Sequence, residues 1–232
     1  MIYFDGKALE NVAPVMIEDI MVSPIQLSPV ARQRPIRFGS QFVRMTGGQR
    51  TVDITFGLMT NDPTERTAQL QALTNWARSD IEKRLELPNY QNRYLTCICT
   101  ALPEPSMRQW WESRLRFVFT CFDDPYWNSI EEKSASCGTA FFAGGNAPPR
   151  MRIENIFSAS ASDVAYSDGT NTATFSTVPA GDLVIDLTRQ TAAVGGTSIM
   201  QYYTFGSKFP VPKAGTQTIT GTGTIKFRER WQ

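Results

Sequence analysis

The chain has 232 residues, 41% apolar and 19% charged, with 23 basic and 22 acidic side chains and a formal net charge of +1. Such a composition belongs to a folded chain the size of one large domain or two small ones, and it excludes a strong bulk attraction to nucleic acid or an anionic membrane. Histidine is absent, which removes His-based catalytic dyads and triads and every imidazole metal site.

The opening MIYFDGKALENVAP lacks a basic region, and Asp5 and Glu10 break any apolar run, so it does not read as a signal peptide. No apolar run approaches the roughly 20 residues that span a bilayer, so membrane insertion is not expected. A short strand is predicted at residues 1–4, followed by a turn at Asp5–Gly6. Pro24 and Pro29 restrict the next stretch to short or edge pieces. The segment ARQRPIRFGSQFVRMTGGQR then carries Arg32, Arg34, Arg37, Arg44 and Arg50 without one acidic residue, and it reads as a long loop or a β-ribbon. Three uses are open to it: phosphate contacts, a solvated surface, or contacts with another protein. Planar multi-donor guanidinium groups favour the last, which makes these five arginines candidate inter-subunit contacts. Specific nucleic-acid binding is disfavoured because the rest of the half neutralises the charge.

In TVDITFGL, Val52, Ile54, Phe56 and Leu58 alternate with Thr51, Asp53, Thr55 and Gly57, the pattern of a strand with one buried face. A helix follows. Asp62 is placed as its N-cap, Pro63 as its first residue and Glu65 three after the cap. Ala68 or Gln69, then Leu70, Leu73, Trp76 and Ala77, form an apolar stripe to about residue 80. Two more strands are predicted. In RYLTCICTA, Leu95, Cys97, Cys99 and Ala101 share a side. In RLRFVFTCF, Leu115, Phe117, Phe119 and Cys121 do so. PEPSMRQWWES between them reads as a hairpin connection or helical turn. Trp110, Trp111, Tyr126 and Trp127 stand in adjacent pairs, which marks them as candidate exposed aromatics for protein or sugar contact, or as a core ring beside a loop ring.

Charge thins out in the second half while Gly, Ser, Thr and Ala accumulate. KSASCGTAFFAGGNAPPR reads as a linker, placing the boundary near residue 140, with domains 1–140 and 141–232. Strands are predicted at 151–156, 172–178, 182–188, 198–205, 217–221 and 224–230, a set that suggests a sandwich or jelly roll.

Chemistry is sparse. GxGxxG, the phosphate loop, HExxH and GxSxG are all missing. Asp123–Asp124 and Glu131–Glu132 could supply a carboxylate pair, yet Asp123–Asp124–Pro125 reads first as a turn. Asp182 and Asp186 fall on the wet side of their strand. The four cysteines, 97, 99, 121 and 137, lack ligand spacing and read as small apolar residues. No catalytic residue, cofactor site or metal site is assigned.

The order of elements nonetheless carries a likeness. An Arg-rich ribbon leads to RTVDITFGL, then to the helix DPTERTAQLQALTNWA, then to LPNYQNRYLTCICT and FTCFDDPYW. PAGDLVIDLTRQTAAVGG, YYTFGSKFPVPKAG and TIKFRERW follow. The chain resembles the distal tail protein family of long-tailed bacteriophages. The resemblance implies a mainly β fold: a β-rich α+β domain with one main helix, then a galectin-like or carbohydrate-module-like β-sandwich. It also implies a hexameric ring at the distal end of the virion tail, assembled in the host cytoplasm and without enzymatic activity. That ring would join the tail tube or tape measure side to a tail-associated tip protein, in some phages also to a receptor-binding protein. Around Arg32–Arg50 the ribbon matches the region that would help build the ring. The alternatives are a carbohydrate-binding module for host recognition or another tube or baseplate protein.

Overall fold

The computed structural model describes residues 1–33, 40–60, 62–102 and 114–232. They divide into two compact units, Met1–Trp127 together with Gln232, and Asn128–Trp231.

The first unit opens with β1 (Tyr3–Phe4) and β2 (Lys7–Ala8), a hairpin closed by Asp5 and Gly6. Both turn residues have positive φ, 52° and 75°, the requirement of the tight turn that Asp-Gly favours. Next come β3 (Val15–Val22), β4 (Leu27–Gln33), β5 (Ser40–Gly47) and β6 (Arg50–Leu58). Helix α1 (Pro63–Ala77) is followed by β7 (Lys83–Glu86), β8 (Arg93–Ala101) and β9 (Arg114–Cys121). The strands pair antiparallel in the order β3-β6-β9-β8-β7-β1-β2. β4 and β5 stand apart as a two-stranded ribbon. Val52, Ile54 and Phe56 face Phe119, Phe117 and Leu115 across the β6–β9 ladder, and all six are buried. Burying each side chain of this size contributes about 1.5–3 kcal/mol.

Helix α1 covers that face. Asp62 caps it by accepting from the Thr64 N–H at 2.9 Å, and Pro63 occupies the first turn. Glu65 does not return to the cap: its Oε2 accepts from the Thr60 hydroxyl at 2.7 Å, and Thr60 Oγ1 accepts from the Asp62 N–H. Gln69, Leu73, Trp76 and Ala77 are buried, while Ala68 is exposed. The Trp76 ring lies 5.7 Å from Phe4 and Phe117 and 6.2 Å from Phe119, and its indole N–H donates to the Lys7 carbonyl at 2.9 Å. The helix ends at Ala77, three residues before the predicted stop.

After β10 (Trp127–Ser129) the second unit contains β11 (Lys133–Ser136), β12 (Phe141–Ala143), β13 (Ala147–Phe157), β14 (Ala161–Ser167) and β15 (Thr172–Val178). It continues with β16 (Gly181–Asp186), β17 (Thr191–Val194), β18 (Thr197–Ser198), β19 (Gly215–Gln217) and β20 (Thr224–Trp231). One layer runs β18-β17-β16-β13-β20-β11, with β14–β15 and β12–β19 as separate pairs. Ile153, Ile185, Ile225, Phe175, Phe209 and Ile219 meet in one core, giving a β-sandwich. The mainly β fold class read from the sequence, with a single main helix, is the one observed.

Two local readings are corrected. The Gly/Pro-rich stretch taken for a linker is built into β11, β12 and β13. Residues 198–205 do not form one strand: Ser198 ends β18, Met200–Tyr202 form a single 3₁₀ turn, and Ile199 is turned into the core.

Candidate functional site

The ribbon rises from a tied foot. Ser23 N–H donates to the Thr51 carbonyl at 2.9 Å, and Thr51 N–H returns to Ser23 Oγ at 2.8 Å. Gly48 N–H donates to the Gln26 carbonyl at 2.6 Å, and Gln26 N–H donates to the Gln49 carbonyl. A Cβ on Gly48 would stand 2.6 Å from that same Gln26 oxygen, so the foot closes only on glycine. From it, Leu27 pairs with Gly47 and Gln33 with Ser40, with one register shift at Val30/Ala31. Of the two forms expected, loop or ribbon, the described residues adopt the ribbon. Arg32 and Arg44 lie on its two strands. Arg34 and Arg37 lie outside the described residues.

Arg50 differs from the other four. It opens β6 and shares its parity with Val52, Ile54 and Phe56, so it points to the core and is only 4% exposed. Neither its Nε nor its Nη1 has a hydrogen-bond partner among the described residues. Burial pulls the guanidinium below its ordinary value, with Cys121, Tyr90 and Tyr126 acting in the opposite sense. A cleft of about 480 Å³ opens there, lined by Val22, Ser23, Pro24, Ile25, Arg50 and the rings of Tyr90, Tyr126 and Trp127, with Gln232 at its edge. Tyr90 and Trp127 stack at 4.1 Å with their planes 18° apart.

That stack corrects the reading of Trp127 as an exposed aromatic: it is 3% exposed. Tyr126 is half-buried. Trp110 and Trp111 lie outside the described residues. A fully exposed aromatic does exist where the sequence reading placed a strand, at Phe205. It sits on a tight turn closed by Ser207 N–H to the Thr204 carbonyl, with Gly206 at φ 83°. Nearby Tyr203 is half-buried, with one face of its ring stacked on Phe209 at 4.8 Å.

On the second unit, β13 and β20 carry a ladder of charges. Arg152 donates twice to Glu132, at 2.9 Å each, and its Nε donates to Glu154. Lys226 pairs with Glu154, and Arg228 donates to the Ser129 and Ile130 carbonyls. These groups satisfy one another and read as a structural network. Among the described residues no three His, Cys, Asp or Glu side chains gather as a metal site, and no helix is long and apolar enough to cross a membrane.

Residues 144–231 match the family model of the siphovirus-type tail component, C-terminal domain. The match falls within the second unit. No curated protein sequence matches the chain. Among solved structures, the Dit protein of phage SPP1 aligns over 100% of this chain and 98% of its own, with a TM-score of 0.74 and 15% identity. That protein is described as a paradigm of the hub adsorption apparatus of phages infecting Gram-positive bacteria. Chains of two phage p2 baseplate structures, with Ca and with Sr, align over 96% of this chain and 92% of theirs. Their TM-scores are 0.46 and 0.48 at 9% and 10% identity. The distal tail resemblance read from the sequence is borne out. The matched residues contain Phe205 and the Arg152, Glu154, Lys226 and Arg228 side chains of the charge ladder, while Glu132 precedes them, and the ribbon and the Arg50 cleft lie in the first unit.

Proposed function

We propose that the chain is a structural subunit of a phage tail tip, a hub whose copies close into a six-fold ring between the tail tube and the tip or baseplate proteins at the distal end of the virion tail. The observation that carries this reading is the full-length likeness to a hub protein together with the tail-component match of the second unit. The chain's surface supports it physically. β3 pairs only with β6 among the described residues, which leaves eight residues of backbone with an open edge. The ribbon is a second two-stranded element with edges of its own. Open edges invite pairing, and two different surfaces on each copy give a heterologous contact that closes by rotation. The arginines of the ribbon would then meet a neighbouring copy. Partners would be the tail tube or tape measure side and a tail-associated tip protein, with a receptor-binding protein as a further candidate. A near-neutral chain suits a channel that lets DNA pass without holding it.

Size exclusion with light scattering, followed by negative-stain imaging of the peak, tests the reading. A ring of about six times 26.0 kDa is expected. A strict monomer throughout the micromolar range counts against it. Reversing Arg37 and Arg44 to Glu should break the ring while leaving the melting of the monomer unchanged, and an undisturbed ring would refute the ribbon contact.

A further inference from the structure

Arg50 has no counter-charge among the described residues. It is 4% exposed, two of its three guanidinium nitrogens have no acceptor among the described residues, and the groups acting on it are the Cys121 thiol and the Tyr90 and Tyr126 phenols. Other cations of the same unit pair with carboxylates at its surface: Lys83 with Asp5, Arg84 with Glu86, and Arg116 with Asp53. A lysine in such a place could lose its proton. An arginine cannot, so burial without an anion imposes a large cost on the isolated chain. A group that enters the cleft carrying negative charge relieves that cost most strongly.

The shape of the cleft narrows what that is. Val22, Pro24 and Ile25 form an apolar wall, and the stacked Tyr90 and Trp127 with Tyr126 add aromatic walls. At about 480 Å³ it holds a side chain with its stem, where a bare inorganic ion would leave apolar wall uncovered. A nearly buried guanidinium among apolar and aromatic walls matches a carboxylate on a short aliphatic stem. The cleft's position narrows it further. Ser23–Ile25 form the wall and also the lead into β4, so whatever seats in the cleft touches the root of the element proposed to reach the next copy.

We infer that the Arg50 cleft is a socket for an acidic side chain of a second copy of this chain, occupied when copies assemble. This rests on the ring reading given above. In the free chain the socket leaves Arg50 underused. In the assembly an ion pair forms away from water, which couples burial of the ribbon foot to closure of the interface and rejects neighbours that present no acid there.

The test compares the full-length chain with Arg50→Met and Arg50→Lys. Arg50→Met removes the charge and keeps the volume. Its dilute monomer should melt at or above the wild-type temperature, while its self-association, followed by light scattering across a dilution series, weakens at least tenfold. Arg50→Lys, which keeps charge but loses the fork, should fall between them, and it carries the comparison if Arg50→Met does not fold. Association of Arg50→Met as tight as wild type overturns the socket. If the wild-type chain shows no association, the ring reading fails, and the socket is decided on the monomer alone. Sodium acetate at constant ionic strength, against sodium chloride, should then raise the melting temperature of wild type and not of Arg50→Met. Equal responses overturn the inference.

Discussion

Asp168 shows how one carboxylate can hold two loops. Its Oδ1 accepts from the Thr170 and Asn171 N–H groups at 2.8 and 2.7 Å, and its Oδ2 accepts from the Val211 N–H at 2.8 Å. Burial alone would raise its pKa, but the backbone donors of Asn171, Val211 and Thr170 outweigh it and hold the group at about 2. A carboxyl group depressed in the folded state adds stability that is complete above its unfolded pKa near 4 and is lost as the pH falls towards 2. After discounting for partial solvent exposure, that contribution is about 1–2 kcal/mol. Asp168→Asn should therefore be destabilised by about this amount in urea unfolding at pH 7, and the gap to wild type should shrink at pH 3. A gap that stays constant with pH would assign the effect to something other than the ionised group. Sequence made part of this legible. Asp168–Gly169 reads as a turn, but the bond to Val211, 43 residues on, has no local signal. Arg50 is the opposite case: the signal was present. Counting the alternation of TVDITFGL back by one position puts Arg50 on the apolar side; grouping it by charge with the ribbon arginines hid that parity. Trp127 lay between two open readings, and its partner Tyr90 is too distant in sequence to decide between them.

At the scale of elements, α1 is the clearest success of local rules, and its energetics follow from the residues that define it. The Asp62 cap satisfies a first-turn N–H, so Asp62→Ala should cost about 1 kcal/mol. Trp76 fills the space among Phe4, Phe117 and Phe119 and also bonds Lys7. Trp76→Ala should cost about 3–5 kcal/mol through the cavity and the orphaned Lys7 carbonyl. Denaturant melts of both variants check the ranking, and a cap effect equal to the tryptophan effect would mean that the helix contributes little through its buried face. Strands β6 and β9 were equally legible because each has one dry face and one wet face, which makes polarity alternate. β14 was missed because its outward residues are Ala, Ser and Asp, and Tyr166 alone is fully buried on it. The error at 198–205 is the converse. Tyr202 and Tyr203 supply strand-like composition, but the Tyr202 N–H donates to Ile199, curling the chain into a turn.

For the whole molecule, the question is what keeps a chain whose β3 edge is unpaired among the described residues from associating without order. β3 carries two common protections, Glu18 and Asp19 at its centre and a bulge between Ile17 and Asp19. On either side of them Met16 and Met21 are 57% and 58% exposed, flexible apolar side chains of the kind that adapt to a partner surface. Apolar flanks around an acidic, kinked centre favour one docking register and resist sliding, since a shifted strand would bring apolar groups against carboxylates. The net charge of +1 adds little long-range repulsion, so selectivity has to come from local patterns such as this one. If the β3 edge is one of the two ring surfaces, Met16→Lys with Met21→Lys should dissolve the ring without harming the fold, because both side chains already face water. We expect monomer stability within about 0.5 kcal/mol of wild type and at least a tenfold weaker association in analytical ultracentrifugation. Rings of unchanged stability would move the contact away from β3 and leave the ribbon and the Arg50 cleft as the surfaces that close it.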